Sequence, residues 1–373
     1  MKVLYVFRSL AVWGGIERIL VEKMNYLSQV YGYDVYMLTS DQGNHPVPYH
    51  LDDNVHFEDL NIRFHQQYQY LFFRRLWVAR QLKRLYEKRL AERINQIKPD
   101  IIICTTADHI DSLGKLKGSI PLIAESHSIC LRTIEDSHCW LRRKWYRYHY
   151  LKALSKVDVV VALTEGDAVE WRKVHSHVVV IPNLVHLNDG AVSTLENKRV
   201  IFVGRFDYQK RPMEMIRIWE IIYPLHPNWQ LDIYGEGAQK QELENRVCSL
   251  GMNIVIHQPT EDIFKCYKES SILVSTSLFE PFGLVIPEAM SCGLPVVAYD
   301  CPYGPASLIQ DDENGFLIKC GNMEAFANKV SLLMDNIKLR MKMGSAGALT
   351  SKIYDSNRIM PLWIDLFGQL LNR

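Results

Sequence analysis

Residues 275–300 read STSLFEPFGLVIPEAMSCGLPVVAYD: a strand end, a loop, a short helical stretch and the next strand. The flanking strand signals, ILVS at 272–275 and PVVAY at 295–299, are continuous apolar runs. Strands covered on both faces in a parallel sheet have that composition. A helix beginning near Gly283 would offer unsatisfied backbone N–H groups and the positive end of its dipole to an anion. Glycine allows close backbone approach there. Glu288, just over one turn into that helix, would accept hydrogen bonds from a vicinal diol. Glu280, on the other side of the turn, would hold another set of sugar hydroxyls. A bare E-x7-E spacing would favour a capping glutamate plus a solvated helical one; the strand–loop–helix–strand setting favours a site.

The same alternation extends in both directions. KVLYVF is followed by a turn and by IERILVEKMNYLSQV, whose Ile16, Ile19, Leu20 and Leu27 fit one helical face. DVYMLT follows Gly32, a helix stop. A long helical stretch runs through Leu90, and IIICTT, PLIAES, DVVVALT and HVVVIPN come next. After a polar connector at 187–198 the pattern restarts with RVIFVGR, a helix around 213–222, LDIYGEG, NIVIHQ, SILVSTS, LPVVAYD and GFLIKC. A restart after a strand-poor connector marks a second doubly wound α/β domain. A chain of 373 residues also exceeds the usual single core. The expected division is 1–188 and 189–355, followed by a final helix at 356–373. Ligands of such sheets bind beyond the carboxyl ends of the strands, so the cleft between two facing domains is the expected site.

Composition narrows the alternatives. Hydrophobic content is 48% and charged content 23%, and the net charge is +1. No global field draws the chain to nucleic acid, and no nucleic-acid motif appears. The 8 cysteines form no Cys-x-x-Cys pair. Cys104, Cys248 and Cys292 lie in or beside apolar runs and read as reduced structural thiols of a cytosolic protein. The opening MKVLYVFRSL ends its apolar run at Arg8 and reads as a first strand rather than a signal. No run reaches the ~20 apolar residues that span a bilayer, so the expectation is a cytoplasmic protein that at most lies on a membrane.

Further residues carry chemistry. In VIFVGRFDYQKRP, Gly204 and Arg205 follow a strand and Lys210 precedes a helix that should start near Pro212. Two fixed cations at a strand's carboxyl end would neutralise a departing diphosphate, the role a metal often takes. The chain has no Asp-x-Asp clamp, so metal-independent chemistry without a cofactor is expected; an exposed basic loop is the plainer reading. Gly14 and Gly15 in AVWGGIERIL would let a backbone approach a phosphate or a sugar, although a Gly-Gly turn is often only a turn. Glu17 and Arg18 read as a solvated face. His127, just past the PLIAES strand, would bond a sugar hydroxyl or orient an acceptor, or be structural. Gly235 and Gly237 form a G-x-G after a strand, suggesting nucleotide approach. Lys240 stands where a dinucleotide fingerprint wants a third glycine, which argues against a dehydrogenase.

Together these segments resemble retaining glycosyltransferase family four, with the GT-B architecture of two Rossmann-like domains facing across a cleft. The resemblance covers nearly the whole chain: the GG-x-E turn, YGYDV, the strand-end histidine, VVVIPN, G-R-x4-K, G-x-G and E-x7-E. The last three, in that order and spacing, are the specific ones. The resemblance implies that Arg205 and Lys210 bind the donor diphosphate, Glu288 the ribose hydroxyls and Glu280 the donor sugar. It places the backbone of Phe282, Gly283 and Leu284 near sugar and phosphate. Gly14, Gly15 and His127 would then face the acceptor and the transferred sugar, and the apolar PLWIDLFGQLL would cross back to the first domain. The DCPYGPASLI segment, with Pro302, Gly304 and Pro305, resembles bacterial members that build capsules, O-antigens and lipid-linked glycans, commonly from UDP-sugars. Retention, by front-face attack with a departing phosphate oxygen taking the acceptor's proton, is likewise implied by the family. The implied acceptor is a glycan or a polyprenyl-linked glycan.

Two basic, aromatic stretches suit an anionic inner-membrane surface: FFRRLWVARQLKRLYEKRL and WLRRKWYRYHYLK. Arg74, Arg75, Trp77, Arg80, Lys83 and Arg84 belong to the first, and Arg142, Arg143, Lys144, Trp145, Tyr146 and Arg147 to the second; ordinary solvated helix faces are the alternative. Rival functions are a GT-B sugar-nucleotide epimerase or phosphorylase and a non-catalytic nucleotide-sugar-binding protein. An epimerase would need its own acid–base carboxylates, a phosphorylase a pyridoxal-phosphate lysine and a longer chain. A mere binder would release no UDP.

Overall fold

The computed structural model describes residues 1–134 and 140–372, and of 140–143 the backbone alone. The chain forms two compact units: Met1–Ile181 with Met360–Arg373, and Pro182–Ile359.

The first unit contains β1 (Lys2–Phe7), α1 (Gly15–Gln29), β2 (Asp34–Thr39), β3 (His56–Asp59), α2 (Phe72–Ile97), β4 (Ile101–Thr105), α3 (Ile110–Leu116), β5 (Leu122–Glu125), α4 (Cys130–Ile134), α5 (Trp140–Leu154), β6 (Val159–Ala162), α6 (Glu165–Arg172) and β7 (Val178–Val180). Its seven strands lie in the order β3-β2-β1-β4-β5-β6-β7. Every pairing is parallel. Val3 to Phe7 of β1 and every residue of β4 are buried, because helices cover both faces. Leu4, Val6, Ile102 and Ala124 pack with Tyr86, Leu90 and Ile94 of α2 and Leu154 of α5. The other helices supply further buried apolar residues, among them Ile19, Leu20, Met24 and Leu27 of α1.

The second unit contains β8 (Arg199–Val203), α7 (Pro212–Ile222), β9 (Gln230–Tyr234), α8 (Lys240–Leu250), β10 (Ile254–His257), α9 (Ile263–Lys268), β11 (Ile272–Ser275), α10 (Val285–Ser291), β12 (Val296–Asp300), α11 (Gly304–Leu308), β13 (Gly315–Lys319), α12 (Met323–Asp335) and α13 (Ile337–Ser351). The strand order is β10-β9-β8-β11-β12-β13, again parallel throughout. Pro212 occupies the first turn of α7, where its missing N–H costs nothing. The last helix, α14 (Ser356–Leu371), contributes Met360 onward to the first unit and buries Trp363, Leu366 and Phe367.

In each sheet the connections reverse direction once, between β1 and β4 and between β8 and β11. Doubly wound sheets bind ligands beyond the strand ends at such a reversal. Three expectations need adjustment. The HFED strand at β3 escaped notice because it is a half-exposed edge without an apolar run. The helix after Gly283 starts at Val285, so Glu288 lies in its first turn. Gly283 has φ +95°, a left-handed conformation that cannot open a helix. Cys104 and Cys292 are buried, but Cys248 is exposed on the solvated side of α8. Seven described cysteines are free; Cys139 falls outside the described residues.

Candidate active site

The second unit assembles its cluster at the β8–β11 reversal, since the loops after these adjacent strands carry the charged residues. After β8 the chain turns at Asp207, whose Oδ1 accepts from the backbone N–H of Gln209 and Lys210, each at 3.0 Å. The loop is fastened to the one following β11. Leu278 N–H donates to the Gln209 carbonyl at 2.8 Å, and Gln209 Nε2 donates to the Phe279 carbonyl at 3.2 Å. Thr276 Oγ1 donates to the carbonyls of Lys210 and Arg211 at 3.1 and 3.0 Å.

This stapling brings together residues seventy apart in sequence. Lys210 Nζ forms an ion pair with Glu280 Oε2, which also accepts from Ser277 Oγ at 3.2 Å. The lysine stem passes over Gly204, where a Cβ would stand 3.2 Å from Lys210 Cγ. Lys210 and Glu280 keep 15% and 11% side-chain exposure, so the pair sits at the surface edge of the fold. Arg205 is 70% exposed; its Nη2 lies 3.0 Å from Gln209 Oε1 and 3.3 Å from Asp207 Oδ2.

Glu280 also organises the loop after β12. Its N–H donates to Pro302 O at 2.6 Å, and its carbonyl accepts from Tyr303 and Gly304 N–H at 2.9 and 2.7 Å. A side chain at Gly304 would overlap the Phe282 carbonyl. Phe282 is buried edge-on against Tyr354, with ring centroids 5.3 Å apart. Leu284 caps α10, and Glu288 is buried there, accepting from Tyr267 OH at 3.3 Å. Gly235 and Gly237 have a packing duty. A Cβ at Gly235 would overlap the Gly204 carbonyl, and one at Gly237 would stand 2.6 Å from the Phe206 carbonyl. The loop after β9 thus lies directly on the loop carrying Arg205.

In the first unit, Gly14 precedes α1, its carbonyl accepting from Tyr49 OH at 3.1 Å, and Gly15 is the first helical residue. Trp13 beside them is 62% exposed and meets the Tyr49 ring edge-on. His127 follows β5 on a loop held by a buried polar network. Asp167 accepts there from Cys130 N–H, Ser126 Oγ and Trp171 Nε1 at 2.8, 2.9 and 2.9 Å.

Two residues not singled out from the sequence stand next to His127. Glu125 Oε2 lies 3.0 Å from His127 Nε2, and Glu125 Oε1 accepts from Lys23 Nζ at 2.6 Å. Lys23 and Glu125 have only 3% and 2% side-chain exposure. The ammonium rests 3.3 Å from the centroid of the Trp363 ring. Burial pulls the Lys23 pKa down to about 8 despite the Glu125 charge. Burial pushes the Glu125 carboxyl up, but the Lys23 charge and the His127 hydrogen bond outweigh it and hold the group below its ordinary range. A signal was available: Lys23 occupies the apolar stripe of α1, buried between Leu20 and Leu27.

Among the described residues no cluster of three His, Cys, Asp or Glu side chains is placed to hold a metal ion. Nor is any helix long and apolar enough to cross a membrane. At the start of α2, Phe72, Phe73 and Trp77 are exposed, with the Arg74 and Arg75 guanidiniums over the Tyr70 and Tyr68 rings at 4.5 and 4.3 Å. Lys83 is taken up by Asp111 at 2.5 Å. Trp145 is exposed on α5, while the Arg142 and Arg143 side chains fall outside the described residues.

Comparison with known proteins covers most of the chain. The family described as Glycosyltransferase Family 4 matches residues 13–189, and that described as Glycosyl transferases group 1 matches residues 190–350. An uncharacterized glycosyltransferase of Haemophilus influenzae is 27% identical over 97% of this chain and 98% of its own. A Campylobacter jejuni alpha-1,4-N-acetyl-D-galactosaminyltransferase, named for a diNAcBac-PP-undecaprenol-linked acceptor, is 24% identical over 100% of this chain and 99% of its own. The crystal structure of a TarM variant of S. aureus in complex with UDP superposes with a TM-score of 0.77 at 17% identity, covering 98% of this chain and 99% of that one. That likeness shows the two-domain Rossmann-like fold.

Proposed function

The chain belongs to the GT-B glycosyltransferases of family 4 and group 1, and from that premise we propose a retaining transfer of a hexose or N-acetylhexosamine from a UDP-sugar to a glycan or lipid-linked acceptor in bacterial surface polysaccharide synthesis. The observation that carries this reading is the Lys210–Glu280 pair with Arg205 beside it at the strand reversal. Without substrate, the two charges of the pair satisfy each other. A diphosphate entering this loop offers Lys210 a stronger partner, frees Glu280 to accept hydrogen bonds from sugar hydroxyls, and draws in the exposed Arg205 guanidinium. The buried Glu288 carboxylate is suited to the ribose diol.

When the bond from the anomeric carbon to the diphosphate oxygen breaks, its electron pair goes to that oxygen. Lys210 and Arg205 neutralise the charge without a metal ion. The acceptor hydroxyl adds to the same face of the anomeric carbon, and its proton passes to the departing phosphate oxygen. Gly14, Gly15 and His127 are assigned to the acceptor and the transferred sugar. We further assign the exposed Phe72, Phe73 and Trp77 with their neighbouring arginines to the inner membrane surface, on which a cytoplasmic enzyme would meet a polyprenyl-linked acceptor. Absence of flotation with anionic vesicles would remove that assignment.

The deciding experiment is a donor screen that measures UDP or GDP release with and without glycan and polyprenyl-diphosphate acceptors, repeated in excess EDTA. Acceptor-stimulated UDP release unaffected by EDTA is expected. UDP binding without release would make the chain a binder, and full chelator sensitivity would end the metal-free scheme.

A further inference from the structure

The first unit buries a lysine, a glutamate and a histidine in one line: Lys23 Nζ to Glu125 Oε1 at 2.6 Å, and Glu125 Oε2 to His127 Nε2 at 3.0 Å. We propose that Glu125 is a positioning residue which, backed by Lys23, commits Nε2 of His127 as a donor and leaves Nδ1 to accept a hydrogen bond from a hydroxyl of the bound sugar. The proposal rests on the transferase reading above for the identity of the ligand, but not for the state of the ring.

The argument starts from what each group can do. An ionised carboxylate only accepts hydrogen bonds, and an ammonium only donates them. Lys23 satisfies one oxygen of Glu125, so the Nε2 facing the other oxygen must carry a proton. In a neutral imidazole the remaining nitrogen then holds the lone pair. In that neutral form His127 would recognise a group that donates, such as a sugar hydroxyl, and would discriminate against one that only accepts. The support behind Glu125 leaves little freedom. Lys23 lies under the Trp363 ring at 3.3 Å and 5.8 Å from the Tyr5 ring centroid, and both aromatic residues are buried.

Stability alone is a poor reason for this arrangement. A buried ion pair returns little more than its desolvation cost, and apolar residues of similar volume often serve as well or better. The position of Lys23 in the apolar stripe of α1 would suit methionine or leucine. What such residues could not do is hold a carboxylate ionised against the imidazole of His127. Groups behind a ligand that fix a histidine's tautomer and orientation serve the same purpose at metal sites.

The test has two readouts on the full chain. Long-range proton–nitrogen NMR of nitrogen-labelled histidine, with the His127 signal assigned by its loss in His127→Gln, should show a protonated Nε2 and a bare Nδ1. In Glu125→Gln and Glu125→Asp that preference should weaken. A proton on Nδ1 in the wild type, or an unchanged tautomer in the folded variants, overturns the proposal. For turnover of the UDP-sugar selected by the donor screen, Glu125→Gln should lower kcat by about 10–100-fold, the loss expected for one hydrogen bond to a charged group. Its effect should vanish when added to His127→Gln; two fully additive losses would mean that Glu125 acts only on folding. UDP affinity, assigned to the second unit, serves as the control. Its absence in the wild type would sink the transferase reading while the NMR result still decides the tautomer.

Discussion

Two lysine–glutamate pairs invite comparison. Lys210–Glu280 keeps 15% and 11% exposure on loops after β8 and β11, whereas Lys23–Glu125 keeps 3% and 2% between a helix and a strand end. On the proposed reading the first pair exchanges partners with an incoming diphosphate, and the exposure it keeps leaves an edge open for that exchange. The second has no solvent to fall back on, so losing one member strands the other. Identical chemistry therefore yields a replaceable contact in one place and a permanent fixture in the other, and burial is what separates them.

The largest expected effect tests the replaceable pair. Lys210→Ala should lower kcat by about 100–1,000-fold or more, the scale of losing one preorganised charge-stabilising donor. Unfolding free energy should change by less than in Lys23→Met, because Glu280 keeps an edge to water and its hydrogen bond from Ser277. Steady-state kinetics and denaturant unfolding on the same preparation separate the two quantities. Near-normal turnover would break the comparison at its first term.

The permanent pair should behave the other way. Lys23→Met should cost about 3–5 kcal/mol of stability, the usual result of removing one member of a buried pair, with His127 left as the remaining partner of Glu125. A loss below about 1 kcal/mol in denaturant titration would mean that Glu125 finds another partner.

The smallest effect sharpens the contrast through pH. Below about 8 Lys23 is protonated in both folded and unfolded chains, so it adds no slope. Between about 8 and the ordinary 10.5, the unfolded chain holds the proton and the folded one does not. The unfolded state then binds more protons, and this residue's contribution to stability rises with pH across that window. The difference between wild type and Lys23→Met should follow this trend in unfolding curves taken at several pH values. A flat difference would mean that the lysine keeps its charge.

The two pairs also differ in how far they could be read from the chain. Arg205, Lys210 and Glu280 could be picked out as candidates because each follows a strand signal in a βα turn, whereas Glu288 lies inside α10 against Tyr267. The turn geometry fixes the place of the first three without knowledge of any distant contact. Nothing in the spacing revealed that Lys210 meets Glu280, since that depends on the staples from Gln209 and Thr276 between two loops. Lys23 and Glu125 were harder still. Lys23 interrupts the apolar stripe of α1 and Glu125 ends an apolar strand, so each stands out within its own segment, but nothing local shows that the two meet across the fold. The helix expected near Gly283 begins at Val285, and the positive φ of Gly283 accounts for the two residues between them.

The seating of Trp363 bears on how the protein is handled. Clipping the last dozen residues, or fusing a bulky tag that strains them, would remove the aromatic cover from Lys23 although no residue of the candidate site is cut. Loss of activity after such clipping would combine damage reaching Lys23 through Trp363 with the loss of buried Leu366 and Phe367.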